Sequence, residues 1–173
     1  ELNLEKNQIA EISTSYNPLL TYLNLGYNEF TNIDLSNNIE LEYLYLKDNK
    51  LTNIDLTKNI KLKVLDLSSY HFDYSAVESI KISELDVSKN VNLIDLNLNG
   101  NDLSNIDVSN NPLLQFLSLE DNKLSEVDLS NNTNLLLVWL EGNSIKKIKC
   151  NILFSITVKV VLVAPFLQSS PIF

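Results

Sequence analysis

The chain is poor in the residues that mark several common classes of protein. It has one cysteine and one histidine, Cys150 and His71, so it cannot form an intrachain disulfide or a zinc site built from several Cys and His ligands. It has three glycines and four prolines in 173 residues, which excludes a flexible linker and a collagen-like chain. Its 13 basic residues stand against 22 acidic ones, and the net charge of −9 argues against binding to nucleic acid or to an acidic membrane surface.

What the chain does have is an internal repeat of 21 residues. The segment YLNLGYNEFTNIDLSNN at 22–38 returns as YLYLKDNKLTNIDLTKN at 43–59. Both fit one frame, in which Leu-x-x-Leu-x-Leu-x-x-Asn-x-Leu is followed by Ile-Asp-Leu-Ser-x-Asn. About seven full or partial copies keep this frame over residues 1–151. Self-similarity at a fixed period of this length indicates a solenoid.

Each copy has the pattern of a short, half-buried strand, because apolar and polar residues alternate in LNL and LYL. One such strand cannot bury its apolar face alone. A neighbouring copy stacked about 4.8 Å away would bury a continuous core and pair the backbone. The IDLS motif alternates as well, and it predicts a second short strand or an extended turn on the opposite side of each coil.

An asparagine stands at the same place in most copies, where the chain must turn. Its side-chain amide can satisfy backbone groups that a turn leaves unpaired. We therefore predict a structural asparagine ladder, which consists of Asn7, Asn28, Asn49, Asn101, Asn122 and Asn143.

The frame over residues 1–151 resembles the leucine-rich-repeat family, and its 21-residue period is most similar to the bacterial class of internalin-like adhesins and other cell-surface proteins. Some members carry a cysteine ladder in the strand motif. This chain has leucine there instead, at Leu25, Leu46, Leu67, Leu98, Leu119 and Leu140. The resemblance implies an α/β-type solenoid, mostly β, that is right-handed and curved, with a concave parallel sheet and few or no helices. It also implies binding to other macromolecules, commonly proteins.

The repeat is interrupted in its third copy. Tyr70 replaces the ladder asparagine, and ten extra residues lie within 70–84. Ser75 and Glu78 fit a capping box, so we predict a short helical turn that bulges from the solenoid. Such an insertion is either a tolerated surface loop or part of a binding surface.

The repeat is lost after Cys150. The apolar run from Ile152 to Leu167 contains Ser, Thr, Lys and Pro, whereas a membrane helix needs about 20 apolar residues. We expect residues 152–173 to form a C-terminal cap over the last repeat or a tail that is not native to the protein. A partial membrane or sorting tail is the alternative.

Residues that alternate with the strand leucines face outward and stack into columns. Exposed Tyr and Trp often anchor protein interfaces, and acidic residues around them favour a basic partner. The predicted partner-binding residues of the concave face are Tyr22, Asn24, Tyr43, Tyr45, Asp66, Asp95, Asn97, Phe116, Glu120, Leu137, Trp139 and Glu141. The alternative is that strand positions simply favour aromatic side chains.

A second column consists of aspartates from the IDLS motif. Stacking would bring their carboxylates within about 5 Å of one another. They could bind calcium, or each could accept hydrogen bonds within its own turn. We favour the turn, and no metal, because the glycine-rich repeat of calcium-binding solenoids is missing. The aspartates are Asp34, Asp55, Asp86, Asp107 and Asp128.

We expect no enzyme, no cofactor and no small-molecule substrate. Acid–base residues gather only around Asp66, Ser68 and His71, and adjacency in sequence does not make a catalytic triad. No glycine-rich phosphate loop occurs. Cys150 occupies a core position of the repeat, so we predict a buried structural thiol rather than a nucleophile.

The predicted function is non-catalytic recognition of a protein partner, with a host protein or a glycan as candidate ligands. By resemblance, the expected location is extracellular or at the cell surface of a bacterium. The alternatives are an intracellular scaffolding or regulatory module and a structural spacer in a larger surface protein. The chain begins at Glu1 without Met, which we interpret as a fragment or processed chain, so the lack of a leader does not decide between them.

Overall fold

The computed structural model describes residues 1–69 and 81–151. Nine short strands lie in these ranges, and no helix there is long and apolar enough to cross a bilayer. The strands are Leu2–Asn3 (β1), Tyr22–Asn24 (β2), Tyr43–Tyr45 (β3), Val64–Asp66 (β4), Asp95–Asn97 (β5), Phe116–Ser118 (β6), Glu126–Leu129 (β7), Leu137–Trp139 (β8) and Lys147–Cys150 (β9).

Seven of the strands form one parallel sheet in the order β1-β2-β3-β4-β5-β6-β8. Each strand pairs with its equivalent in the next coil, so Leu44 lies opposite Leu23 on one side and Leu65 on the other. The register continues across the insertion, where Leu65 pairs with Leu96. The fold is therefore the predicted solenoid of about seven coils, and the described residues include no helix.

The core lies directly beneath this sheet. The central leucine of each interior strand is fully buried, as are the leucines that follow two residues later. Full burial of one such side chain contributes about 1.5–3 kcal/mol. The central leucines are Leu23, Leu44, Leu65, Leu96 and Leu117.

The IDLS segments close the opposite side of each coil. In the last two coils they form strands, and β7 pairs with β9 in a separate two-stranded parallel sheet. In the described part of the earlier coils the equivalent segments do not form strands.

The predicted asparagines take part in backbone hydrogen bonding at the end of each sheet strand. Asn122 donates through Nδ2 to the carbonyl of Leu98 in the preceding coil (3.0 Å) and to that of Leu119 in its own coil (3.2 Å). Its Oδ1 accepts the N–H of Leu103 (3.0 Å). The same inter-coil pattern recurs at Asn28, Asn49, Asn101 and Asn143, while Asn7 in the first coil donates to Leu4 and Glu5.

A second asparagine ladder runs through the other side of the solenoid, at the end of the IDLS segments. Asn111 is fully buried, and its Nδ2 donates to the carbonyls of Val87 (3.0 Å) and Asn90 (2.9 Å). Equivalent bonds are made by Asn38, Asn59, Asn90 and Asn132. Each coil is thus tied to its neighbour by amide side chains on both sides of the core.

The residue before each rung of the first ladder has a left-handed backbone. Its φ is 73° at Gly100 and 68° at Gly142, values that cost glycine little. Four other coils place a residue with a Cβ there and accept the strain. These residues are Lys6, Tyr27, Asp48 and Asp121.

The hydrogen-bond register shows that the insertion in the third coil lies between Ser69 and Ile82. The N–H of Ser69 donates to the carbonyl of Asn99, and the N–H of Ile82 donates to Oδ1 of Asn101. These bonds match those of Asp48 and Phe30 in other coils. The predicted helical turn, with its Ser75–Glu78 capping box, lies outside the described residues, as does the predicted cap at 152–173.

The prediction that Cys150 is a buried thiol is wrong. Cys150 is exposed and free, although the equivalent Leu129 is buried. Cys150 ends β9, which is an edge strand of the two-stranded sheet. No further described coil stacks on it, so the position that is core elsewhere faces outward here.

Candidate functional site

The outward residues of the seven-stranded sheet form two columns in register, and we call this surface the sheet face. Neighbouring members of a column are directly opposite each other across paired strands. The first column is Tyr22, Tyr43, Val64, Asp95, Phe116 and Leu137. The second column is Asn3, Asn24, Tyr45, Asp66, Asn97, Ser118 and Trp139.

Three tyrosines meet on the sheet face near β2 and β3. The ring centroids of Tyr22 and Tyr43 are 6.3 Å apart, and those of Tyr22 and Tyr45 are 5.6 Å apart, both in tilted arrangements. All three side chains are half-buried, so each ring is partly exposed to solvent. This tyrosine cluster is a preformed, weakly polar surface of the kind that anchors protein partners.

Tyr27 occupies the left-handed position that follows β2. The Nζ atoms of Lys6 and Lys47 lie 5.3 Å and 5.1 Å from the centroid of its ring. A hydrogen bond with Tyr27 is the main cause that raises the pKa of Lys47. Two cations on one ring hold Tyr27 in place after the end of β2.

A depression of about 370 Å³ lies in the middle of the sheet face. Tyr45 borders it on one side, and Phe116 and Trp139 border it on the other. Small and polar side chains line the space between these rings, and they are Val64, Asp66, Asp95, Asn97 and Ser118. We call this surface the central depression. It joins two aromatic clusters that the sequence alone places near opposite ends of the sheet.

Carboxylates give the sheet face its electrostatic character. Burial raises the pKa of Asp95, and the neighbouring carboxylate of Asp66 raises it further. Burial also raises the pKa of Glu120, with a smaller contribution from Glu141. A carboxylate with a raised pKa gains most from a cation that neutralises it, so the face favours positively charged groups.

Glu120 and Glu141 lie one column further along, beside the end of the strands. Nδ2 of Asn99 donates to Oε2 of Glu120 (2.8 Å), and the N–H of Glu120 donates to Oδ1 of Asn99 (2.7 Å). Asn24, at the other end of the face, donates through Nδ2 to Glu5 (3.2 Å) and accepts the N–H of Gly26 (3.0 Å). The side-chain amides of Asn99 and Asn24 thus fix the positions of Glu120 and Glu5.

The predicted site residues therefore fall into three groups. Tyr22, Tyr43 and Tyr45 meet in the tyrosine cluster. Five others join Tyr45 around the central depression, and they are Asp66, Asp95, Asn97, Phe116 and Trp139. The remaining four, Asn24, Glu120, Leu137 and Glu141, do not line it. Sequence reasoning missed Val64 and Ser118, which share the columns but are neither aromatic nor charged.

The aspartate column makes local hydrogen bonds. In Asp107 and in each of its equivalents, Oδ1 accepts the N–H of the residue two positions later, at 2.8–3.0 Å. These bonds lower the pKa of each carboxyl group. Over residues 1–69 and 81–151, no group of three His, Cys, Asp or Glu side chains converges as metal ligands do.

A second exposed surface runs along another side of the coils, and we call it the apolar stripe. Ile39, Ile60 and Val91 occupy equivalent positions after the second-ladder asparagines, and they are 49%, 52% and 46% exposed. Sequence reasoning did not select this stripe. It offers matched positions for control substitutions away from the sheet face.

Comparison with solved structures confirms the resemblance that the repeat suggests. The chain is similar to the functional domain of InlJ from Listeria monocytogenes, which includes a cysteine ladder, at 29% identity and a TM-score of 0.72. It is also similar to the internalin InlF from Listeria monocytogenes, at 28% identity and a TM-score of 0.71. Both alignments cover 86% of this chain but 38% and 46% of the two Listeria chains, so it spans less than half of their length.

A chain of the Toll–Spätzle complex from Drosophila shares the fold at 19% identity and a TM-score of 0.54, over 85% of this chain and 24% of that chain. No protein-family model matches the chain, and no curated protein sequence matches it. The fold and the repeat define the protein as a leucine-rich-repeat solenoid. Within that class it is similar to the internalins of Listeria monocytogenes.

Proposed function

We propose that this protein is a non-catalytic recognition module that binds a protein partner through the sheet face. One observation carries the proposal: the tyrosine cluster and the central depression form one continuous surface, because Tyr45 belongs to both. Leucine-rich-repeat solenoids are protein-interaction modules, and the Toll–Spätzle complex includes a chain of this fold. The predicted partner-binding residues on the sheet face are the contacts that we propose for it.

Surface presentation is part of the proposal. The similarity to InlJ and InlF supports a bacterial surface or secreted protein, in which residues 1–151 form the recognition domain and 152–173 a cap or a non-native tail. Sequencing the coding DNA on both sides of this segment tests the location. A signal peptide and an anchoring or sorting segment are the expected result, whereas a leaderless start just upstream contradicts it and favours an intracellular scaffold.

The binding proposal is tested with two variants that each change two surface side chains to alanine. One carries Tyr43→Ala and Tyr45→Ala on the sheet face, and the other carries Ile39→Ala and Ile60→Ala on the apolar stripe. Both are screened beside the unaltered chain against a displayed library of extracellular proteins, after circular dichroism has shown that they fold.

The supporting result is a partner that the unaltered chain and the stripe variant retain and the tyrosine variant loses. Truncation of a hot-spot aromatic to alanine lowers the binding free energy by about 2 kcal/mol or more, which is roughly a thirtyfold change in Kd. A partner that is lost only in the stripe variant contradicts the proposal. Failure to retain any partner across the library favours the alternative of a structural spacer.

A further inference from the structure

The central depression combines paired carboxylates with a border of aromatic rings. Two carboxylates, Asp66 on β4 and Asp95 on β5, lie in neighbouring strands of the sheet. Aromatic rings border them on both sides, from Tyr45 on β3 and from Phe116 and Trp139 on β6 and β8. Negative charge between aromatic rings is the chemistry that recognises an organic cation.

The carboxylate of Asp95 is available to such a cation. It is half-buried, and it makes no hydrogen bond or ion pair with any residue that the structure describes. Oδ1 of Asp66 accepts the N–H of Ser68 (2.9 Å), which fixes the direction of that carboxylate and leaves its second oxygen for a ligand. Burial and mutual repulsion raise the pKa of Asp95, so its charge costs energy that a bound cation would recover.

Within residues 1–69 and 81–151, no basic side chain forms an ion pair with Asp66 or Asp95. The charge of Asp66 contributes to the raised pKa of Lys47, but the main cause of that shift is a hydrogen bond with Tyr27. Glu120 and Glu141 add negative charge beyond the depression. A metal ion is disfavoured because the described residues bring no third carboxylate, His or Cys to the pair.

We propose that the central depression binds an arginine side chain of the protein partner, with the guanidinium between Asp66 and Asp95 and stacked against the aromatic rings. This inference rests on the proposed function of the sheet face. Guanidinium is planar, is less strongly hydrated than ammonium and forms forked bonds to carboxylates. It therefore matches both the aromatic border and the paired carboxylates, whereas lysine matches the charge alone.

The chain offers its own probe of this site, because Trp139 is its only tryptophan. The blocked peptide acetyl-Gly-Arg-Gly-amide is titrated into the full chain while tryptophan fluorescence is recorded. We expect a saturable change with a Kd on the order of a millimolar, as suits a single anchoring side chain. The matched peptide with citrulline, which keeps the size and plane of arginine without its charge, is expected to give no saturable change. The lysine peptide is expected to bind about fivefold more weakly.

Two variants and a control connect the signal to the carboxylates. Asp95→Asn and Asp66→Asn remove the charges separately, and each is expected to weaken the arginine peptide about tenfold. Glu84→Gln removes an exposed carboxylate from another part of the chain and is expected to leave the affinity unchanged. Thermal unfolding of every variant confirms that the chain is still folded.

Equal binding of the arginine and citrulline peptides overturns the proposal, and so does unchanged affinity in both Asp variants. Equal binding of the arginine and lysine peptides overturns the assignment to guanidinium. These results are independent of the partner screen. A partner that depends on Tyr43 and Tyr45 but not on Asp66 or Asp95 leaves the proposed function intact and removes this inference. If the arginine peptide binds but the screen finds no partner, the arginine site stands and the proposed function of the sheet face is not supported.

Discussion

The hydroxyl of Thr14 donates a hydrogen bond of 2.6 Å to Oδ1 of Asn38, and both residues are buried. The later rungs of the second ladder have an apolar residue where Thr14 stands. Their Oδ1 atoms are buried without a hydrogen-bond partner among the described residues, and these rungs are Asn59, Asn90, Asn111 and Asn132. The first coil thus satisfies an acceptor that four later coils leave unpaired.

This relationship predicts an unusual effect of a polar substitution in the core. Val108 precedes Asn132 by the same 24 residues that separate Thr14 from Asn38. Val108→Thr keeps the side-chain shape and supplies a donor to Oδ1 of Asn132. We expect the free energy of unfolding to stay within about 0.5 kcal/mol or to rise by about 1 kcal/mol, as measured by urea denaturation.

The control is Val138→Thr, at a buried position in β8 where the described part of the chain offers no unpaired side-chain acceptor. There the new hydroxyl has no designated partner, and we expect a loss of about 1–3 kcal/mol. If Val108→Thr costs as much as Val138→Thr, the unpaired Oδ1 of Asn132 is not accessible to a donor at position 108.

Gly100 is expected to be intolerant of any side chain. Its φ is 73°, and a Cβ there would lie 1.9 Å from the carbonyl oxygen of Ser69. Gly100→Ala should lower the free energy of unfolding by about 2 kcal/mol or more. Gly26→Ala is the matched control, because its tightest contact would be with the side-chain oxygen of Asn24, at 3.3 Å, and its next would be an ordinary contact with the carbonyl oxygen of Lys47, at 3.6 Å. Similar losses in the two variants would show that the left-handed turn is not the cause.

Removal of one rung of the first ladder should destabilise the whole domain. Asn122→Ala leaves the N–H of Leu103 without its side-chain acceptor and removes one of the two amide donors to each of the carbonyls of Leu98 and Leu119. We expect a loss of about 3 kcal/mol in urea denaturation. Asn105→Ala changes an exposed asparagine and should stay within about 0.5 kcal/mol. A small effect at Asn122 would mean that water replaces the amide.

The sequence predicts the two columns and the first ladder better than it predicts the second ladder. The 21-residue period fixes the register, so the two columns of the sheet face and the residues of the first ladder can be read from the sequence. Burial of the second ladder could not be predicted, because Asn111 sits in the polar sequence VSNNP, which is typical of a surface turn. Burial of Asn111 depends on the coil that stacks on it, and the pattern of a single repeat does not contain that information.

The central depression could not be predicted for a related reason. It exists because Val64 and Ser118 are smaller than Tyr45 and Trp139, which stand on either side. Depth on a sheet surface depends on the sizes of side chains in several neighbouring strands at once. The burial of Cys150 was predicted wrongly because a repeat position is core only where another coil covers it.

Two aspartates should respond to pH with opposite signs. Hydrogen bonds from Ser130 and Lys149 lower the pKa of Asp128 to about 2, below the value of about 3.9 in an unfolded chain. Its contribution to stability is therefore present above about pH 4 and is lost as the pH falls toward 2. Asp128→Asn should lower the free energy of unfolding at pH 6, and its difference from the unaltered chain should shrink as the pH falls through this window.

Asp95 is expected to behave in the reverse way. Burial and the neighbouring Asp66 raise its pKa, so the ionised carboxylate destabilises the folded chain above that pKa and the penalty is relieved as the pH falls through it. Asp95→Asn should raise the free energy of unfolding at pH 7, and this gain should disappear in acid. Urea denaturation of both variants at a series of pH values checks the two signs together. Parallel pH profiles for the two variants contradict the account.

The central claim is that a partner contacts the sheet face, and site-specific photocrosslinking tests it most directly. Benzoylphenylalanine is placed at Tyr43 in one variant and at Ile60 on the apolar stripe in another, and each is irradiated with the partner that the library screen identifies. The account predicts a covalent adduct from position 43 and none from position 60. An adduct from position 60 alone would show that the partner binds the apolar stripe, and the sheet face would then not be the recognition surface.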